Sequence, residues 1–321
     1  MRRAFALLNL LSDGAEHAGT ELARALGVTR AAVWHQVAQL REQGLTIDAV
    51  RGHGYRLCGC FEPLSADDIR SQLTGTARDT LTVDTITITD STNERLLAAL
   101  STGDIHGRAL LAEYQTAGRG RRGDRWISPP GSGLCVSLAW RFDQPPATFS
   151  ALSLVVGMAI AASLRELGVR DAMLKWPNDI LCDNGKLAGI LIEMRAEAGG
   201  PCSTVIGIGI NVQMSEESRA LINQPVADFT HASGSPVSRN RLAAALLSAL
   251  ARTLPQFGRD GFAQFRAAWQ RYDALAGHAV KLELPNRVVA GIARGVDEHG
   301  ALLIEHNGRS ERFVAGHLSR A

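Results

Sequence analysis

The chain has 321 residues, 45% of them hydrophobic and 21% charged, with a formal net charge of +2. That length predicts two or three domains with sizeable cores, and the near-balanced charge excludes wholesale coating of nucleic acid, so any basic site must be local. Five cysteines without a Cys-x-x-Cys pair argue against a disulfide framework or a zinc ribbon and for a reducing compartment. The most apolar run, 152–164, is shorter than the roughly 20 residues a membrane span needs, and the Met-Arg-Arg start lacks a signal-cleavage pattern. The expectation is a cytoplasmic protein with no membrane partner.

In residues 3–57, Ala4, Leu7, Leu8 and Leu11 recur at helical spacing up to Ser12-Asp13-Gly14. Thr20 is expected to cap a short helix over 21–26 that Gly27 stops, and Thr29 a second over 30–43 that Gly44 stops. Two helices joined by a Gly-containing turn make a helix-turn-helix. Short strands at 45–50 and 54–57, around Arg51-Gly52-His53-Gly54, add a wing. With Val33, Val37 and Leu40 inward, Thr29, Arg30, His35, Gln36 and Gln39 are left outward. In DNA-binding winged helices the second helix enters the major groove; Arg30 and Gln36 suit base edges, and Arg51 and His53 suit phosphates. Winged helices also serve as protein-interaction modules, and the weak charge of this segment does not separate the two uses.

Residues 58–63 read as a linker, after which Ser65 opens a helix with acids in its first turn. Residues 81–89 alternate threonine with apolar side chains, as a half-exposed strand does. They lead into Asp90-Ser91-Thr92-Asn93-Glu94, where Ser91 is a helix cap or, with its neighbours, a polar ligand contact. A strand at 110–114 runs into Gln115-Thr-Ala-Gly118-Arg119-Gly120-Arg121-Arg122-Gly123-Asp124-Arg125-Trp126. Glycines let backbone N–H groups approach a ligand, and guanidinium groups bind carboxylate or phosphate through paired hydrogen bonds. An anion-binding loop and a solvated basic loop both fit.

A strand over 134–140 and a mostly buried helix over 151–167 follow. Lys175 ends an apolar strand ahead of Trp176-Pro-Asn178-Asp179, either as an edge gatekeeper or as a charge aimed into a site. A turn at 183–185 leads to Lys186 and a strand over 187–193. In the buried strand 205–212, Gly207 and Gly209 share a face, for a ligand's approach or for plain sheet packing; no helix start follows, so a Rossmann reading is poor. Residues 213–228 read as a mobile loop and 239–272 as helical. Short strands at 280–284, 288–294, 301–305 and 310–314, with a hairpin turn at Asn307-Gly308, suggest a small SH3-like barrel. The fold class is α+β, with a mixed sheet flanked by helices.

Gly118-Arg-Gly-Arg-Arg-Gly through Trp126-x-Ser128-Pro129, Lys175-Trp-Pro-Asn-Asp179, Lys186-Leu-Ala-Gly-Ile190 and Gly207-Ile-Gly-Ile-Asn211, in this order, resemble the biotin protein ligase family. With the winged helix in front and the barrel behind, the resemblance covers nearly the whole chain and is closest to bifunctional ligases that also repress biotin operons. It implies a winged helix-turn-helix over 1–62, a catalytic domain of biotin/lipoate ligase, class II synthetase-like type over 63–273, and an SH3-like domain over 274–321. It also implies a two-step reaction. The carboxylate of biotin attacks the α-phosphate of ATP, giving biotinyl-5′-adenylate and pyrophosphate; a carrier lysine then attacks the mixed anhydride. Bringing two anions together calls for fixed positive charges and backbone donors rather than an ionisable nucleophile.

Carried onto matching positions, the family's roles give Ser91, Thr92, Asn93 and Gln115 to biotin, and Arg119, Gly120 and Arg121 to the ordering loop. Lys175 bridges the biotin carboxyl and the α-phosphate and is the best catalytic candidate, with Arg119 and Arg121 beside it. Arg122, Trp126, Asn178, Lys186 and Asn211 fall to ATP, and Thr29, Arg30, His35, Gln36 and Arg51 to DNA. Mg²⁺ accompanies ATP, with Asp179 its candidate ligand. The implied partners are the biotin carboxyl carrier domain of acetyl-CoA carboxylase, operator DNA near biotin-synthesis genes, and a second copy of the chain when adenylate, the possible corepressor, is bound. Asp124 departs from the pattern, which carries a basic residue there, and 224–226 lack the aromatic residue that stacks on adenine. A ligase whose winged helix no longer represses, and a lipoate-type ligase, are the alternatives.

Overall fold

The computed structural model describes residues 2–50, 53–59, 61–144, 149–196 and 201–321. At the N-terminus, α1 (Arg2–Leu10), α2 (Gly19–Leu26) and α3 (Arg30–Glu42) pack beside the hairpin β1 (Ile47–Val50) and β2 (Gly54–Leu57). Ala4, Leu7, Leu8 and Leu11 are fully buried against Val33, Val37 and Leu40, as their spacing requires. Gly27 ends α2 in the left-handed region, and the Thr29 hydroxyl accepts from the Ala32 N–H at 3.2 Å.

Two expectations need correction. The Glu21 and Leu22 N–H groups both donate to the Ala18 carbonyl, so α2 begins at Gly19 and Thr20 lies inside the helix. Gln36 sits three residues after Val33 and four before Leu40, on the inward stripe, and is only 7% exposed; it is not free to read a base. Arg51 lies outside the described residues.

The central unit runs α4 (Ala66–Gln72), α5 (Ala77–Thr80), β3 (Thr82–Thr89), α6 (Thr92–Ala99), β4 (Arg108–Gln115), β5 (Gly133–Phe142), α7 (Leu152–Glu166), β6 (Met173–Lys175), β7 (Asp179–Cys182), β8 (Gly185–Ala196), β9 (Cys202–Asn211), α8 (Glu216–Ala220), α9 (Phe229–Ser233), α10 (Arg239–Asp260) and α11 (Ala263–Gln270). Its seven-stranded sheet has the order β3-β4-β5-β9-β8-β7-β6, parallel at β3–β4 and antiparallel elsewhere. Both faces of β5 are buried, because α10 packs on it from one side and α6 from the other. The helical stretch predicted over 239–272 is two helices, since Gly261 leaves α10 at positive φ. Residues 213–228, expected to be mobile, carry α8 and are tied to the sheet: Lys186 N–H donates to Pro225 at 2.9 Å, and Ala227 N–H to Lys186 at 3.1 Å.

The tail forms a five-stranded antiparallel sheet from β10 (Ala279–Glu283), β11 (Val288–Val296), β12 (Leu302–His306), β13 (Arg309–Phe313) and β14 (His317–Arg320), in the order β13-β12-β11-β10-β14. Asn307 and Gly308 both have positive φ, as a tight hairpin turn demands. The strand β14 was not anticipated. The core of this sheet is continuous with the central one. The Trp176 indole N–H donates to the Gly300 carbonyl at 3.1 Å, which brings the barrel up to the Lys175 hairpin.

Candidate active site

One cavity of about 490 Å³ is bordered by every residue expected to contact biotin or nucleotide: Ser91, Thr92, Asn93, Gln115, Arg119, Gly120, Arg121, Arg122, Trp126, Lys175, Asn178, Lys186 and Asn211. Its polar end is built where β3 hands over to α6. The Ser91 hydroxyl caps α6, which turns Thr92 and Asn93 into the fold, where both are buried. Gln115, at the end of β4, accepts from the Thr92 N–H at 2.8 Å and from its hydroxyl at 3.1 Å. The Ser137 hydroxyl, buried on β5, donates to the Asn93 amide oxygen at 2.5 Å and lies 2.7 Å from the Thr92 hydroxyl. Gly207 makes room for this cluster, since a Cβ there would collide with the Asn93 amide.

Two residues further along β9 the same device recurs. A side chain at Gly209 would collide with the Trp126 ring, which also lies against Gly189. The glycine face of β9 is thus a floor for close approach, with Asn93 on one square and Trp126 on the next.

The Gly/Arg loop closes over this floor. Its ends are pinned by the Trp126 N–H donating to Gly118 at 2.9 Å and the Gly120 N–H donating to Asp124 at 2.7 Å. Arg122 and Gly123 turn the chain at positive φ. Arg119 pairs with Glu94 and Glu193, and Arg121 donates to Asn178 at 2.9 Å. Arg122, Asp124 and Arg125 are exposed at the rim. The loop is therefore a structured, charged cover rather than a solvated linker.

Opposite the loop, the β6–β7 hairpin delivers Lys175, Asn178 and Asp179. Lys186 pairs with Asp179 at 2.9 Å and lies over the Trp126 ring. Burial pushes the pKa of Lys175 down; Asp179 opposes that shift and Lys186 adds to it. Asn178 donates to the Ile190 carbonyl at 2.9 Å, and Asn211 donates to the Lys186 and Ala227 carbonyls. Asn211 thereby fastens the 225–227 segment to the sheet, so its amide nitrogen has a structural task at the cavity wall. Among the described residues no group of three or more His, Cys, Asp or Glu side chains is placed to hold a metal ion.

Sequence reasoning missed Ser137, Glu94, Glu193 and the Gly316-His317-Leu318 stretch of the barrel, which borders the cavity. Ser137 had a signal, a hydroxyl amid Val136 and Leu138 in a buried strand. The barrel contribution had none, because its approach depends on how two sheets pack. On the winged helix, Thr29, Arg30 and His35 are exposed as expected, and so is Trp34, at 57%.

Residues 85–211 match the biotin/lipoate A/B protein ligase family, 3–56 an HTH domain and 276–317 the biotin protein ligase C terminal domain. The bifunctional ligase/repressor BirA of Salmonella typhimurium is 40% identical over 98% of this chain and 96% of its own length. The biotin--[acetyl-CoA-carboxylase] ligase of Mycobacterium tuberculosis is 35% identical over 79% of this chain and 94% of its own. A structure of the Aquifex aeolicus biotin protein ligase in complex with biotin and ATP superposes with a TM-score of 0.64 and 27% identity, covering 75% of this chain and 99% of that one.

Proposed function

The chain belongs to the family of bifunctional biotin protein ligases and repressors, and from that premise we propose how its cavity divides the work. The chain is an ATP-dependent biotin protein ligase with a helix-turn-helix repressor domain. Biotin takes the polar end, where the Thr92, Asn93, Gln115 and Ser137 cluster supplies donors and acceptors for a ureido ring. ATP takes the end bordered by Arg122, Trp126, Asn178 and Lys186. Lys175 stands between them with its ammonium partly stripped of water, which strengthens its pull on the carboxylate and α-phosphate oxygens as they close on each other. Arg119 and Arg121 hold the same oxygens from the loop side. The carrying observation is that one cavity joins a neutral polar nest to a row of fixed cations.

Mg²⁺ bound by one carboxylate and the phosphates of its nucleotide suits this donor set, since such ions keep most of their water. Asp179 would hold it, and the ion would supply charge neutralisation on the phosphates. The carrier lysine's amine then attacks the carbonyl of the anhydride, and AMP leaves. We assign the carrier domain of acetyl-CoA carboxylase as acceptor and operator DNA as the partner of Thr29, Arg30, His35 and Trp34, with a second copy joining when the adenylate is bound.

Incubation with biotin, ATP–Mg²⁺ and a carrier domain should raise the carrier's mass by one biotinyl group. Transfer of lipoate in place of biotin would overturn the reading. A gel shift on DNA upstream of biotin-synthesis genes should appear with biotin and ATP and weaken without them; no binding in either condition refutes repression.

A further inference from the structure

The outward face of α3 carries a residue that folding alone does not explain. Among the described residues Trp34 is the one exposed tryptophan, whereas Trp140, Trp176 and Trp269 are buried. Val33, Val37 and Leu40 form the inward stripe of α3, so helical phase turns Trp34 away from the core. Exposed Ala31, three residues before it, and half-buried Ala38, four after, bracket the indole. Its ring meets that of His35 edge-on, with centroids 4.9 Å apart. Residues 22–41, from the middle of α2 to near the end of α3, hold Arg24, Arg30 and Arg41 but no Asp or Glu. Arg24 and Arg30 are exposed, and the first turn of α3 has no acid to offset the positive end of the helix.

We propose that Trp34 is a specificity-determining residue of the DNA-binding domain, its indole packing on the 5-methyl group of a thymine in the major groove. Arginines without acids suit phosphodiesters. A lone ring among alanines, an arginine and a histidine is not the broad apolar patch that a protein partner covers. The two alanines keep the helix slim on either side of the ring, so its backbone can settle into a groove about 12 Å wide. The indole offers one N–H donor and no acceptor, so most of its surface is satisfied only by apolar contact. Thymine alone presents a methyl group on that side of the duplex. Trp34 therefore separates thymine from cytosine, the other pyrimidine, while Arg30 and His35 supply polar contacts beside it.

The inference rests on the repressor reading, and the test keeps the two apart. The full chain with biotin and ATP–Mg²⁺ would be titrated against a duplex from upstream of biotin-synthesis genes, made once with thymine and once with uracil throughout. Uracil removes only the methyl groups. The wild-type chain should bind the uracil duplex more weakly, by about fourfold for each methyl that Trp34 covers. Trp34→Ala should bind the thymine duplex about tenfold or more weaker than wild type and lose that part of the thymine-to-uracil ratio. Trp34→Phe, which keeps an apolar ring, should recover most of the ratio. A ratio unchanged in Trp34→Ala, with or without a loss of affinity, overturns the inference alone. So does Trp34→Ala weakening self-association of the chain in sedimentation without DNA, which would make Trp34 a protein contact. Absence of wild-type binding to either duplex refutes the repressor reading and the inference with it.

Discussion

Lys175 ends a strand whose neighbours Leu174 and Trp176 are buried, so the backbone itself carries the ammonium into the cavity. Lys175→Ala should cut adenylate formation by roughly 10²–10³-fold, the scale of losing one aimed charge-stabilising donor, while the chain still melts cooperatively. Near wild-type pyrophosphate release in that variant would refute the assignment. The shift also fixes a pH dependence. Burial lowers the pKa of this lysine from the ordinary 10.5, so below its folded value both states are charged and burial weighs against folding. Between that value and 10.5 the unfolded chain holds the extra proton, and the penalty fades as pH rises. Lys175→Met should therefore gain most in melting temperature near neutral pH, with the gain shrinking towards pH 10. A gain that grows with pH would show the opposite shift.

At the level of elements, β9 performs two tasks two residues apart. Gly207 admits Asn93 and Gly209 admits Trp126, so alanine at each should damage a different ligand. Gly207→Ala is expected to raise KM for biotin and Gly209→Ala KM for ATP, each with about 1–3 kcal/mol of overpacking in stability. Equal effects of both variants on both substrates would mean that the floor is not divided. The Gly-x-Gly spacing in an apolar strand was readable beforehand, because only close approach or packing accounts for a missing side chain there. The loop glycines and cations, the Asp90-Ser91-Thr92-Asn93 junction and the Lys175–Asp179 turn stood out from the surrounding hydrophobic pattern, whereas Gln115, Lys186 and Asn211 came only from the family resemblance. Gln36 was misread because residue type was weighed above helical phase. Glu193 and Leu318 escaped because their roles depend on neighbours about 74 and more residues away, which local pattern does not encode.

Over the whole molecule, the segment joining winged helix to catalytic unit is a strap, although its composition reads as a plain linker. Phe61 sits in the winged-helix core and under the Arg239 guanidinium. The Glu62 carboxylate accepts from the Arg239 N–H and the Ser238 hydroxyl, both at 2.6 Å, at the positive end of α10. Arg239 also donates to the Glu62 carbonyl and pairs with Glu113 at 2.8 Å, with both side chains nearly buried. Asn240 takes the Ser65 N–H and donates to the Pro63 carbonyl. Arg239→Met strands the Glu113 charge, at a cost of about 3–5 kcal/mol; pairing it with Glu113→Leu removes the stranded charge and should recover part of that loss, since the Leu64 N–H then loses its acceptor. The double variant keeps the Ser238 hydroxyl and the backbone N–H of residue 239 on the Glu62 carboxylate, but it loses the guanidinium's bond to the Glu62 carbonyl and its contact with the Phe61 ring. It should therefore transfer biotin to carrier at close to the wild-type rate while losing affinity for operator DNA, because the winged helix is held less firmly. Measuring both on one preparation separates the two units: DNA affinity equal to wild type would show that the strap stabilises the chain without orienting its DNA-binding face.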